Sequence, residues 1–377
     1  MAEKEAIEET QRKLRLNLYQ FVFYESADDQ FTNPYWAQGD QPVANPIYQG
    51  SPPSEEEIEA MESCPKADIE NLEELLEEEN IRFDIDPNYG WAPHFGTHTM
   101  IPMLVLKLKE NDEQKKRPAV VFLHSMYNNK ESLRPLLKAY ASRGYIAISV
   151  DTCYHGERCL RDTGAYRHAL VYSWSTQYTS PFIYDVVLEL IKIANYLTTR
   201  EDIDPSRIGI TGISLGGIHA WFAAVADARY SVVVPLMAVR GFRWIIDNDK
   251  WKGLVDSSMK PLFEFVRHKM SKDVIDKEVV EKVLDGIAPS LDSQFDAPYS
   301  IPAIAPRPLL IINGAEDPQC PVASLDVTRS NASQAYEAFQ CLDNFKFIAE
   351  PGVGHQLTKF QVKESSDWFD RFLKPYS

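Results

Sequence analysis

Seven short, nearly unbroken apolar runs beyond residue 98 constrain the fold more than any other feature of the chain. They are IPMLVLKLK (101–109), PAVVFLH (118–124), YIAISVD (145–151), RIGITGI (207–213), SVVVPLM (231–237), PLLIING (308–314) and FKFIAE (345–350). Runs this short and this apolar suit strands covered on both faces, as strands are in a parallel sheet. Stretches of helical character lie between them. SLRPLLKAYASRG (132–144) ends at a glycine, and the stretch beginning SPFIYDVVLEL offers Ser180 as an N-cap and Pro181 at the first helical position. Strand alternating with helix predicts a mostly parallel sheet with helices on both faces. Region 240–300 interrupts the alternation with two or three expected helices rich in aromatic residues. An insertion beyond the carboxyl ends of such strands is placed to act as a lid.

The first 97 residues differ in character. Residues 1–24 read as a helix and 25–55 as turn-rich chain. ESCPKADIENLEELLEEEN (62–80) reads as a helix with Ile69, Leu72, Leu75 and Leu76 on one face. Between Ser54 and Asn80 lie twelve acidic residues and one lysine, so much of the net charge of −16 sits there, on what reads as a solvated helical face. The expected organisation is an acidic, partly helical extension (1–97) followed by a catalytic domain (98–377). So acidic a chain is a poor partner for nucleic acid, whose phosphates need basic surface. No apolar run approaches the ~20 residues that cross a bilayer. The N-terminal stretch lacks an apolar secretory core, and five scattered cysteines without a CxxC argue against disulfides or a zinc site. The expectation is a cytoplasmic protein with neither nucleic acid nor membrane as partner.

The stretch GITGISLGGIHAW (209–221) carries the chemistry. A strand pattern leads into Ser214, boxed by Gly212, Gly216 and Gly217, and a helix-compatible run follows. That is the setting of a nucleophile elbow, a turn so tight that the hydroxyl stands exposed. A serine hydroxyl needs a base and an orienting acid. His355, in EPGVGHQLT after a late strand, is the base. Asp317, in PLLIINGAEDPQCP, is the acid, with Glu316 as the alternative. Among the other histidines, His219 lies on the helix after the elbow and reads as structural. His94 and His98 form HxxxH without the glutamate of a zinc motif. The oxyanion donors are expected from the Leu215 N–H and from Ser125 or Met126, in the loop after PAVVFLH. Tyr127, His155 and Trp244 are the candidates for touching substrate.

Residues ~98–377 resemble the α/β-hydrolase superfamily. They are most similar to its dienelactone-hydrolase-like and acetyl-xylan-esterase-like serine esterases, and within these to plant members. The stretches that carry the resemblance are LRPLLKAYASRGYIAISVD, YHGER, REDIDPSRIGITGISLGG, IAPRPLLIINGAEDPQCP and EPGVGHQ. It implies an α/β-hydrolase fold and a serine carboxylesterase that forms an acyl-enzyme on a small-molecule ester. Ser214, Asp317 and His355 are the implied triad, with no cofactor and no metal. An acyltransferase using the same triad is the alternative, and a non-catalytic receptor on the same fold is the rival from another class. Two departures stand out. The family's oxyanion loop often reads HGxxGxK where this chain has HSMYNNK, and Asn128 there tolerates a left-handed backbone. Cys153 stands where an arginine often precedes YHGER.

Overall fold

The computed structural model describes residues 2–22, 36–38, 46–84, 100–109, 116–159, 162–177 and 180–373. A nine-stranded sheet organises it. The strands are β1 (Trp36–Gln38), β2 (Leu76–Asp84), β3 (Met100–Leu108), β4 (Arg117–Leu123), β5 (Ile146–Val150), β6 (Ile203–Ile213), β7 (Tyr230–Leu236), β8 (Leu309–Gly314) and β9 (Phe345–Glu350). Their spatial order is β1-β2-β3-β5-β4-β6-β7-β8-β9. From β5 through β9 every neighbouring pair is parallel, whereas β1, β2 and β3 add antiparallel pairings along one edge. Each of the seven apolar runs forms a strand, and the mostly parallel sheet carries helices on both faces as expected.

Strand alternation divides the core into two layers. β4 sends Ala119, Val121 and Leu123 to one face and Val120 and Phe122 to the other. The first face packs on helices Tyr184–Thr199 and Leu215–Ala226, and the second on helices Arg134–Ser142 and Lys359–Leu373. The 240–300 insertion, between β7 and β8, holds five short helices rather than two or three, and Ile245, Phe263, Val280 and Val283 join the first layer. Among the described residues no helix is long and apolar enough to cross a membrane.

The acidic stretch departs from its helical reading. Glu55–Glu62 is a helix, started by a capping box between Ser54 and Glu57. Beyond it, helix persists only over Leu72–Leu75. From Leu76 the chain is β2, paired with β3 along its whole length. Cations on other elements account for the change. Lys107 Nζ on β3 lies 2.6 Å from Glu79 and 3.0 Å from Asp202, Arg200 reaches Glu79 at 2.8 Å, and Arg134 reaches Glu78 at 2.5 Å. Carboxylates that would repel one another along a helix thus gain opposite charges from β3, from helix Arg134–Ser142 and from the turn at Arg200. Helix Ala2–Val22 places Leu14 and Leu18 in the first core layer, and the Gln11 amide donates to the Ala305 carbonyl at 3.0 Å. The expected boundary at residue 97, together with His94 and His98, lies outside the described residues.

Candidate active site

Four parallel strands end along one edge of the sheet, and each hands a key residue to the loop beyond it. β4 leads to Ser125 and Met126, β6 to Ser214, β8 to Asp317 and β9 to His355. Ser214 has φ 55° and ψ −114°, a conformation that a residue with a side chain adopts only when its surroundings impose it. The glycines show what imposes it. A Cβ on Gly216 would lie 2.3 Å from the Leu123 carbonyl oxygen, and one on Gly212 would lie 2.2 Å from that of Gly216. Backbone passes backbone there with no room for a methyl group. The turn is held by the Ser214 N–H donating to the Leu236 carbonyl at 2.9 Å.

This turn brings the Ser214 hydroxyl within 2.8 Å of His355 Nε2, and His355 Nδ1 lies 2.7 Å from Asp317 Oδ2. Asp317 is buried. Burial by itself would raise its pKa, but the hydrogen bond and charge of His355, the Gln319 N–H at 2.8 Å and the charge of Arg240 outweigh it and hold the carboxyl below its usual range. An ionised carboxylate only accepts hydrogen bonds, so Nδ1 carries the proton that points at Asp317. Nε2 of the neutral ring is then left to accept from Ser214. Glu316 is exposed, and its backbone N–H donates to the Val353 carbonyl at 2.9 Å.

The loop after β4 makes a tight turn in which the Asn128 N–H donates to the Ser125 carbonyl at 3.1 Å. The left-handed position falls on Tyr127 (φ 68°), not on Asn128. Three contacts offset its strain: the Gln49 N–H donates to the Tyr127 carbonyl at 3.0 Å, the Tyr127 hydroxyl donates to the Ser258 carbonyl at 2.9 Å, and the ring meets Tyr166 edge-on. Among the described residues nothing accepts a hydrogen bond from the N–H of Ser125, Met126 or Leu215, and all three residues line one cavity of about 190 Å³. Ser214 and His355 open into it. The insertion roofs it with Phe242, Leu254, Met259 and Phe263, while Arg240 and Gln319 supply polar groups.

Tyr127, His155 and Trp244, expected at the substrate, do not line this cavity. Tyr127 is spent on bracing the loop. His155 is buried beneath it, packed between His124 and Tyr166 with Nδ1 2.8 Å from the Cys153 carbonyl; burial, and then the neighbouring His124, hold its pKa well down. Trp244 is half-buried against the core, and Phe242 of the same helix faces the cavity instead. His219 is buried and bonds the Phe182 carbonyl at 2.8 Å. Cys153 points inward to Glu189, which also takes both ends of Arg158 from the YHGER stretch. Among the described residues one group has the spacing of metal ligands: Asp317, Cys320 and His355. Two of these are already bonded to each other, and burial pushes the Cys320 thiol far above its usual range, which suits it poorly as a ligand. Sequence reasoning missed Arg240, Met237, Phe182 and Glu57 on the cavity wall. For Arg240 a signal existed, since it follows an apolar strand run at the ligand-binding edge of the sheet.

A family model described as "Alpha/beta hydrolase family" matches residues 120–363. The chain is 24% identical over 277 residues to the Bacillus subtilis (strain 168) protein named "Putative esterase YitV", covering 72% of this chain and 96% of that protein. Among solved structures it is similar to Methylesterase BT1017 (TM-score 0.62, 16% identity), with all of this chain and 66% of that one covered. It is also similar to an acetyl xylan esterase from Paenibacillus sp. R4 (TM-score 0.53, 20% identity), covering 84% of this chain and 91% of that one. At these identities the two structures establish a shared fold.

Proposed function

The chain belongs to the alpha/beta hydrolase family, and from that premise we propose that it is a serine carboxylesterase acting on a small-molecule ester through an acyl-enzyme. One observation carries the reading: the in-line pair of short contacts from Asp317 through His355 to Ser214, opening on a cavity. In the first half-reaction His355 Nε2 takes the Ser214 proton while Oγ adds to the ester carbonyl. The tetrahedral oxyanion collapses, and His355 returns the proton to the departing alcohol. Water then repeats the sequence on the acyl-enzyme and releases the acid. Asp317 stabilises the imidazolium that forms in both halves.

The oxyanion donors in this reading are the N–H groups of Leu215 and Met126. Leu215 opens a helix whose first N–H groups have no partner within the helix. The Ser125 carbonyl is bound by Asn128 N–H and lies 2.8 Å from His124 Nδ1. In a planar trans peptide the Met126 N–H points the opposite way, free of the turn. A cavity of about 190 Å³ is smaller than the ~300 Å³ where drug-sized sites begin, which favours a small ester. The relatives named as esterases fit the same reading.

A fluorophosphonate probe tests it. One equivalent is expected to bind covalently to the wild type and none to Ser214→Ala, with peptide mapping placing the adduct at Ser214. A wild type that resists the probe, or a mutant that still takes it, would overturn the mechanism.

A further inference from the structure

Arg240 is the one arginine on the cavity wall, and it is 4% exposed. Among the described residues its guanidinium makes a single hydrogen bond, from Nε to the Ala238 carbonyl at 3.1 Å, and no carboxylate forms an ion pair with it. Two other arginines, the buried Arg158 and the half-buried Arg307, have their terminal nitrogens bonded within the protein. Arg158 gives both Nη groups to Glu189, and Arg307 gives its own to the carbonyls of Asp227, Tyr230 and Ala224. Asp317, whose charge Arg240 feels, already has its hydrogen bonds from His355, Gln319 and Cys320. Arg240 thus lines the cavity with its guanidinium carbon 5.8 Å from the centre of the Phe242 ring, and among the described residues neither terminal nitrogen has a hydrogen-bond partner.

The backbone that presents this side chain is pinned on its far side. The Gly241 N–H donates to Ser324 Oγ at 3.1 Å, and those of Phe242 and Arg243 donate to the two Asp296 oxygens at 2.8 and 3.0 Å. Asp317 balances the guanidinium charge from a distance but bonds neither terminal nitrogen, and the cost of withdrawing those groups from water is offset when a ligand brings an anion to them. We propose that Arg240 is an anion subsite, and that the preferred substrates are small esters carrying a carboxylate within reach of the reacting carbonyl. The inference rests on the esterase reading above. The planar fork of the guanidinium matches a carboxylate in two parallel hydrogen bonds, a geometry that the point charge of a lysine does not reproduce. The other charged wall residue that is not part of the relay is Glu57, half-buried, whose carboxylate is engaged by the Ser54 N–H at 2.9 Å.

The test compares kcat/KM for the monomethyl esters of malonic, succinic, glutaric and adipic acid with neutral methyl esters of matching length, following acid release by pH-stat. At least one acidic ester is expected to exceed its neutral counterpart by about 10- to 100-fold, the scale of one charge-assisted contact. In Arg240→Met that ratio is expected to fall close to one. Using a ratio within each protein removes any general loss that the substitution causes through Asp317. Should Arg240→Met fail to fold, Arg240→Lys serves in its place, with a several-fold loss of the ratio expected. The inference is overturned if no acidic ester is preferred by the wild type, or if the preference survives in the variants. Fluorophosphonate labelling separates the two failures. A labelled wild type that turns over neutral esters without preference sinks the anion subsite alone, and an unlabelled one sinks the esterase reading.

Discussion

Two clusters of buried and half-buried charge sit at different places on the same sheet. At the antiparallel edge, Glu79, Asp202, Lys107 and Arg200 neutralise one another in a closed network, with every ion reaching at least two others. At the carboxyl edge of the parallel strands, Asp317 hydrogen-bonds His355, whose far nitrogen faces Ser214 and a cavity. The first arrangement spends all its charge internally and leaves nothing directed outward. The second is an open chain that ends at a hydroxyl on the cavity wall. Whether a buried carboxylate serves folding or chemistry is read from where its line of hydrogen bonds terminates, more than from its burial.

Amide replacement at the open end is expected to separate the two roles most sharply. Asp317→Asn keeps the shape but offers an N–H or a neutral oxygen to His355, so the ring no longer holds the right tautomer. A loss of about 10⁴-fold in kcat is expected, the scale found when an amide replaces a triad acid. Glu316→Gln, one residue away and exposed, is expected to stay within about twofold. Steady-state rates on one methyl ester decide it, and equal losses in both variants would break the contrast.

A second variant probes the scaffold rather than the relay. Gly216→Ala sets a methyl group against the backbone oxygens of Leu123 and His124, neither of which can swing aside as a side chain end does. A stability loss of about 3 kcal/mol is expected, at the upper end of the overpacking range. Urea denaturation measures it, and a loss below about 1 kcal/mol would mean that the elbow has more slack than its distances imply.

The same contrast explains what could be read from the chain beforehand. The parallel strands were legible because burial on both faces writes apolar residues into every position, as in PAVVFLH and YIAISVD. Ser214, Asp317 and His355 were legible because each follows such a run on a turn bearing glycine. β2 was not. Its run of glutamates has no strand signature of its own, and its cations lie on β3 and on the turn at Arg200, contributed by other segments of the chain. The cavity wall was obscure for a similar reason. Arg240, Phe182 and Glu57 come from the 240–300 insertion, from the turn before helix Tyr184–Thr199 and from helix Glu55–Glu62, and only the folded chain brings these three segments to one cavity. Tyr127 adds a subtler case: composition favours Asn128 as the left-handed residue, but the hydrogen bond from Asn128 to Ser125 places that conformation one residue earlier.

The smallest effect is expected at the closed network, and its pH dependence has a definite sign. Glu79 is pushed in opposite directions: burial raises its pKa, while hydrogen bonds and charges from Arg200 and Lys107 lower it further than burial raises it. Asp202, under the same balance, is held at about 2. Folded-state pKa values below the unfolded ones mean that the network stabilises the fold above the unfolded carboxyl range, near ~4, and fades as pH falls toward the folded values. Glu79→Gln at pH 7 is expected to cost about 1–2 kcal/mol, between the values for exposed and buried pairs because the site is partly open to solvent. The cost should be constant down to about pH 4.5 and shrink below it, as the wild-type carboxylate takes up the proton that makes it resemble the amide. Catalytic rate should not follow, since among the described residues the network has no line of hydrogen bonds to Ser214. Denaturation midpoints of both proteins at pH 7, 5 and 3.5, with ester turnover at pH 7, check each half. A cost that grew toward acid, or a rate that fell with the stability, would join the two clusters that the geometry keeps apart.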